Sequence, residues 1–174
     1  MRNLKLYQNL KTTPTISLRE DCTESLNIFL EVLQKISKYH STAKKRIMYD
    51  VDAVNLKINK DYYFYILDEL IHNALKFSES YAKVLISGKK IDDEYIIVIR
   101  DFGNGFNIEA ANPTHKKKLQ SKEKRKKGQG PAILICEKIV KTFKGKFEIK
   151  TNKNEGTVVS VILPLSNTER LIII

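Results

Sequence analysis

Glu69, Asn73 and Lys76 stand within two helical turns of one another in the stretch Asp68-Glu69-Leu70-Ile71-His72-Asn73-Ala74-Leu75-Lys76-Phe77-Ser78. Apolar or aromatic residues recur at Tyr63, Ile66, Leu67, Leu70, Ala74 and Phe77, the steps of three and four that mark one buried helix face. On such a helix the Glu69 carboxylate and the Asn73 carboxamide project side by side, with the Lys76 ammonium close by. Hard oxygen donors of this kind suit Mg²⁺, which keeps several waters and takes phosphate oxygens as further ligands; the ammonium suits a phosphate. The bland alternative is a solvated helix surface. Two further stretches weigh against it. Asp101-Phe102-Gly103-Asn104-Gly105-Phe106 follows the apolar run Tyr95 to Ile99, so a carboxylate sits where a strand ends in a turn. Gly103 and Gly105 let backbone approach a ligand closely or adopt positive φ there. Gly128-Gln129-Gly130 then opens a helical pattern, and a helix N-terminus is a natural phosphate site.

With these residues in view, the chain resembles the ATP-binding (catalytic) domain of sensor histidine kinases, in the Bergerat-fold (GHKL) ATPase superfamily. The N box of that family is similar to "ELIHNALKFS", its first glycine box to Asp101, Gly103 and Gly105, its second to "GQGPAI", and its closing Gly-Thr to Gly156-Thr157. The resemblance runs from about residue 16 to residue 165. It implies that Glu69 is a base or water-orienting group and that Asn73 holds Mg²⁺. It also implies that Asp101 accepts a hydrogen bond from the exocyclic amine of adenine, supported by Thr157. Lys76, Gly103, Gly105, Gly128 and Gly130 would complete the nucleotide site. The implied activity is transfer of the γ-phosphoryl of Mg-ATP to a histidine on a dimerisation domain, in this or another chain, with a response regulator as indirect partner. His40, His72 and His115 all lack the surroundings of that phosphoacceptor. Pro131 and Ala132 replace the family's usual Leu and Gly after the second glycine box, removing an N–H donor and adding a methyl. A degenerate ATP- or ADP-binding module that docks partners is therefore the competing reading.

The net charge is +11, and the first thought is nucleic acid or a membrane surface. The segment 115–127 holds eight Lys/Arg and one Glu, so seven of those eleven charges sit in one stretch. It lies within 106–127, which is polar and without periodicity and reads as an ATP lid. Lys124 to Lys127 are its candidate phosphate contacts, and a solvated loop is the alternative. A basic nucleic-acid-binding domain is the least favoured reading, since the run has no interleaved aromatics. No apolar run approaches the ~20 residues of a membrane span. Met1 to Pro14 is polar and basic, without a signal pattern, and Cys22 and Cys136 read as reduced core thiols, so a cytoplasmic setting is expected.

At 174 residues the chain should form one main domain over 16–166, with a linker or helix stub at 1–15 and a tail at 167–174. Ser17-Leu18-Arg19-Glu20 reads as a capping box opening a helix through Cys22, Leu26, Phe29, Leu30, Leu33 and Ile36. Strands are expected at Arg46 to Asp50, Val54 to Ile58, Lys83 to Ser87, Glu94 to Arg100, Lys146 to Lys150 and Thr157 to Leu163. Gly88 to Asp93 would turn the central hairpin. Two more helices would begin near Lys60 and at Pro131, the second ending with Gly145 in the left-handed position. His72 points away from Asn73 and reads as a surface or packing residue. The sum is an α/β (α+β) two-layer sandwich: a mixed, mostly antiparallel sheet with three main helices on one face.

Overall fold

The computed structural model describes residues 22–103, 132–152 and 155–166. Gly105, Gly128, Gly130, Pro131, the expected lid over 106–127, the Ser17 capping box and both termini lie outside the described residues. In chain order the elements are β1 (Cys22–Glu24), α1 (Ser25–Tyr39), α2 (Ala43–Arg46), β2 (Ile47–Val51), β3 (Asn55–Lys57) and α3 (Lys60–Phe77). These are followed by β4 (Val84–Ile91), β5 (Glu94–Asp101), α4 (Ala132–Thr142), β6 (Lys146–Asn152) and β7 (Gly156–Pro164). Five strands form one sheet in the order β2-β4-β5-β7-β6, parallel only between β2 and β4. β1 and β3 pair separately as an antiparallel ribbon, and a Leu56–Leu165 bridge joins β3 to the chain just beyond β7.

Strand alternation decides which face is covered. Val84 and Ile86 of β4, Ile97 and Ile99 of β5, and Val159, Val161 and Leu163 of β7 point the same way and are buried. They share one core with Ile66, Leu67, Leu70 and Ile71 of α3, Phe29 and Val32 of α1, and Ile135 and Ile139 of α4. The alternate positions stay open: Leu85 and Arg100 are exposed, and Ile96, Val98 and Val158 are half-buried. α3 is the central helix, packed on β5 and flanked by α1 and α4. Its N-terminus is capped as its sequence allows, with the Asn59 side chain accepting from the Asp61 N–H at 2.8 Å.

Several expectations shift in detail. Cys22 lies exposed in β1, outside any helix, and only Cys136 is a buried thiol. α1 starts at Ser25 and buries Ile28, Phe29, Val32 and Ile36, leaving Leu30 43% exposed. The start is displaced because Ser25 is itself buried: its hydroxyl donates to Asp52 O and accepts from the Val54 N–H, contacts remote in sequence. Gly88 sits within β4 rather than in the hairpin turn, where a Cβ would lie 2.0 Å from the Tyr95 hydroxyl. The turn is only Asp92-Asp93, with Asp92 at φ 51°. At the end of α4 the left-handed residue is Lys144, not Gly145. Lys144 N–H bonds to Lys141 O and Gly145 N–H to Val140 O, the paired pattern that closes a helix. Gly145 is needed for space instead, as a Cβ there would lie 2.3 Å from the Ile162 carbonyl oxygen.

One residue that the sequence did not single out secures the end of α3. Arg46 is 7% exposed, and its guanidinium donates to Ala82 O at 2.8 Å, Leu75 O at 3.1 Å and the Ser78 hydroxyl at 2.5 Å. It therefore neutralises the negative C-terminal end of the helix while satisfying the Leu75 carbonyl, which the helix cannot. Arg46→Ala should cost about 2–4 kcal/mol in chemical denaturation, because three hydrogen bonds to a charged group are lost and the carbonyls stay buried. Arg46→Lys should recover less than half of that, since an ammonium cannot reproduce the planar fork.

Candidate functional site

Asp101 is the last residue of β5 and is buried, 7% exposed. Its Oδ1 accepts from the Gly103 N–H at 2.9 Å and the Thr157 N–H at 3.3 Å. Burial pushes the carboxyl above its ordinary range, opposed by these two N–H groups and by the Thr157 hydroxyl. The carboxylate is thus fixed in orientation by the backbone at its own turn and at the start of β7, the strand paired with it at Asp101↔Thr157. Oδ1 is turned inward on protein donors; a carboxylate has lone pairs beyond those two bonds for a ligand.

Glycines make this junction possible. A Cβ on Gly103 would lie 2.2 Å from the Phe77 carbonyl oxygen, and one on Gly156 would lie 2.0 Å from the Asp101 carbonyl oxygen. Gly156 also holds φ at +95°, which side-chain-bearing residues rarely adopt. The end of α3, the turn after β5 and the start of β7 are therefore in backbone contact. Phe77 lies one turn beyond Asn73, so the contact brings the Asn73 turn of α3 beside Asp101.

Along α3 the residues Tyr65, Glu69 and Asn73 follow at four-residue steps and share one stripe. Glu69 and Asn73 are half-buried, and Thr157 is buried beside Asp101. Tyr65 is 9% exposed, and its hydroxyl has no hydrogen-bond partner among the described residues. Burial raises its phenol well above the ordinary value, and the Glu69 charge raises it further. The same two causes raise the Cys136 thiol on α4. Half-buried Glu69 is thus close enough to Tyr65 on its own helix and to Cys136 on α4 for its charge to act on both. Tyr65 was not among the sequence candidates; its spacing to Glu69 and Asn73 was the signal available.

Lys76 is exposed, its ammonium 5.4 Å from the Phe77 ring centroid. Burial lowers the pKa of His72, His40 lowers it further, and the Lys76 charge adds a smaller lowering. His72 lies on the surface, directed away from the Glu69–Asn73 stripe and toward His40. Among the described residues the structure thus assembles Asp101, Gly103 and Thr157 around one carboxylate. Glu69 and Asn73 lie on the helix whose end abuts that turn.

Because the folded Asp101 protonates at higher pH than the unfolded one, its charge opposes folding at neutral pH, and the opposition is relieved as pH falls through the folded pKa. Asp101→Asn keeps the acceptor for Gly103 and Thr157 but removes the charge. The variant should melt higher than the native chain at about pH 7–8, with the difference shrinking toward about pH 4. A thermal-melt series over that range checks this; a variant less stable at every pH would refute the assigned cause.

Residues 58–167 match the family described as histidine kinase-, DNA gyrase B- and HSP90-like ATPase. Sporulation kinase D of Bacillus subtilis is 29% identical over 111 residues, covering 64% of this chain and 21% of the relative. The chain thus spans about a fifth of that curated relative. The mycobacterial sensor histidine kinase MprB superposes with a TM-score of 0.66 at 16% identity, covering 84% of this chain and 97% of that one. Full-length ShkA in complex with AMPPNP gives 0.71 at 17% identity, covering 95% of this chain and 35% of that one. With 110 of its 174 residues matched, the chain belongs to the histidine kinase-, DNA gyrase B- and HSP90-like ATPase family.

Proposed function

We propose that this domain binds Mg-ATP between α3 and the glycine turn after β5 and passes the γ-phosphoryl to a histidine on a separate dimerisation domain, upstream of a response regulator. The observation that carries this reading is the buried Asp101 carboxylate oriented by Gly103 and Thr157. A fixed acceptor there matches the exocyclic amine of adenine and repels the carbonyl that guanine offers at the same place. A hydrogen bond to a charged acceptor is worth about 1.5–3 kcal/mol. Gly105, Gly128 and Gly130 would contribute backbone donors to the phosphates, and the basic segment 106–127 would close over them.

Asn73 supplies one hard oxygen, and no group of three or more His, Cys, Asp or Glu among the described residues forms a metal cage. That donor set fits Mg²⁺, which takes few protein ligands and completes its shell with water and phosphate oxygens. Asn73 would hold the ion, and the ion would supply charge neutralisation at the phosphates. Glu69, half-buried one turn after Tyr65, would orient or deprotonate the acceptor, while the protein otherwise contributes positioning and electrostatics. The setting proposed is cytoplasmic, where ATP is plentiful. None of the described helices is long and apolar enough to cross a membrane.

The relatives include sporulation kinase D and the sensor protein SrrB, and the AMPPNP bound to ShkA supports adenine nucleotide as the ligand class. Pro131 and Ala132 favour the second reading, a binding module that has lost turnover. The two separate experimentally. Thermal-shift titration should give a stabilisation by ATP that GTP lacks, and Asn73→Ala should remove its Mg²⁺ dependence without unfolding the helix. Equal shifts for ATP and GTP would overturn the place given to Asp101.

Supplied with the dimerisation domain of its own system, the chain should transfer label from γ-labelled ATP to that domain's histidine, and Glu69→Gln should slow transfer by ~10²–10⁴-fold with little change in ATP affinity. Nucleotide binding without transfer, unrescued by Pro131→Leu with Ala132→Gly, would establish the binding module instead.

A further inference from the structure

His40 and His72 are 32 residues apart in sequence, yet Nε2 of His40 lies 3.0 Å from Nδ1 of His72. The ring centroids are 4.9 Å apart and the planes cross at 60°. A collinear N–H···N bond at that nitrogen separation would hold the centroids roughly 5.3 Å apart. At least one ring is therefore turned off the line between the nitrogens. Two imidazole nitrogens each about 2.0–2.1 Å from one metal would lie about 2.9 Å apart in the right angle of a square-planar or octahedral shell and about 3.3 Å apart in a tetrahedral one.

The backbones beneath the rings are already fixed. His72 is in the middle of α3, and His40 caps α1, its N–H bonded to Ile36 O at 2.9 Å. The two helices pack together, and near this pair Lys35 bonds to Asp68 at 2.5 Å, tying the same two helices. His40 stands at the C-terminal end of α1, the negative end of the helix dipole, which favours a cation. The Lys35 and Lys76 ammonium groups oppose one, and the Asp68 carboxylate, one turn before His72, offsets part of that.

We propose that His40 and His72 form a two-imidazole site for a late divalent transition metal, clamping the end of α1 to the middle of α3. The pair offers nitrogen donors, so the site selects Cu²⁺, Ni²⁺ or Zn²⁺ over Mg²⁺, and it is separate from Asn73. Both rings bind as neutral imidazoles. The hydrogen carried between them in the metal-free form moves to the outer ring nitrogen, so no net proton is lost. Exposure of His72 leaves room for waters to complete the shell. This site does not rest on the kinase reading.

The test uses the full chain without nucleotide, titrated with CuCl₂, NiCl₂ or ZnCl₂ in a non-chelating buffer and followed by calorimetry and thermal melts. One equivalent should bind, raise the melting temperature and follow Cu²⁺ above Ni²⁺. His40→Ala and His72→Ala should each weaken binding by at least the ~10–100-fold that loss of an outer-shell partner costs. His115→Ala and Cys22→Ser should bind as the native chain does. Absence of one-equivalent binding would overturn the proposal. So would binding that survives both His40→Ala and His72→Ala, or that disappears with His115→Ala or Cys22→Ser.

Discussion

Three backbone segments meet at Asp101 within contact distances that no side chain would tolerate. The Phe77 carbonyl at the end of α3 closes on Gly103, and the Asp101 carbonyl closes on Gly156. A buried carboxylate at that junction is costly unless something bonds to it, and the Gly103 and Thr157 N–H groups are delivered by the close approach itself. The position of α3, the end of β5 and the start of β7 are therefore one constraint. Displacing any of the three leaves the carboxylate short of donors.

The rest of the fold can be understood as holding α3 against that junction. Its buried face is wide, from Tyr63 to Leu75, because it lies on β5 between α1 and α4. Arg46 takes up the carbonyls at its end, and Asn59 caps its start. On the stripe Tyr65–Glu69–Asn73, the charge of half-buried Glu69 reaches buried Tyr65 and, on α4, buried Cys136. A half-buried carboxylate interacts with its neighbours more strongly than a fully exposed one.

The same packing that serves the Asp101 junction creates the His40–His72 pair. α1 and α3 are aligned by Phe29, Val32 and Ile36 on one side and by Ile66, Leu67 and Leu70 on the other. The imidazoles meet at the surface edge of that contact as a consequence. Nothing in the Glu69–Asn73 chemistry requires them, which is why they stand apart as a site of different donor type.

Periodicity placed the start of α3 near Lys60, and the helix does begin at Lys60, where the Asn59 side chain caps it. The alternation in β5 and β7, and the Asp-x-Gly turn that ends β5, were equally legible, since strand and turn chemistry is local. What depended on distant partners was not. α1 begins at Ser25 because Ser25 is held by Asp52 and Val54, and Cys22 belongs to a ribbon whose other strand is 33 residues away. Gly88 and Gly145 look like turn residues in sequence, but one makes room for the Tyr95 hydroxyl and the other for the Ile162 carbonyl. Arg46, Tyr65 and the His40–His72 contact likewise acquire meaning only when separate helices and strands meet. The sequence by itself determined which residue types stand at which local spacings, and so which residues are candidates for the chemistry. Tertiary packing decided how each is buried, bonded and charged, because burial and electrostatic environment are properties of neighbours that the chain brings together only on folding.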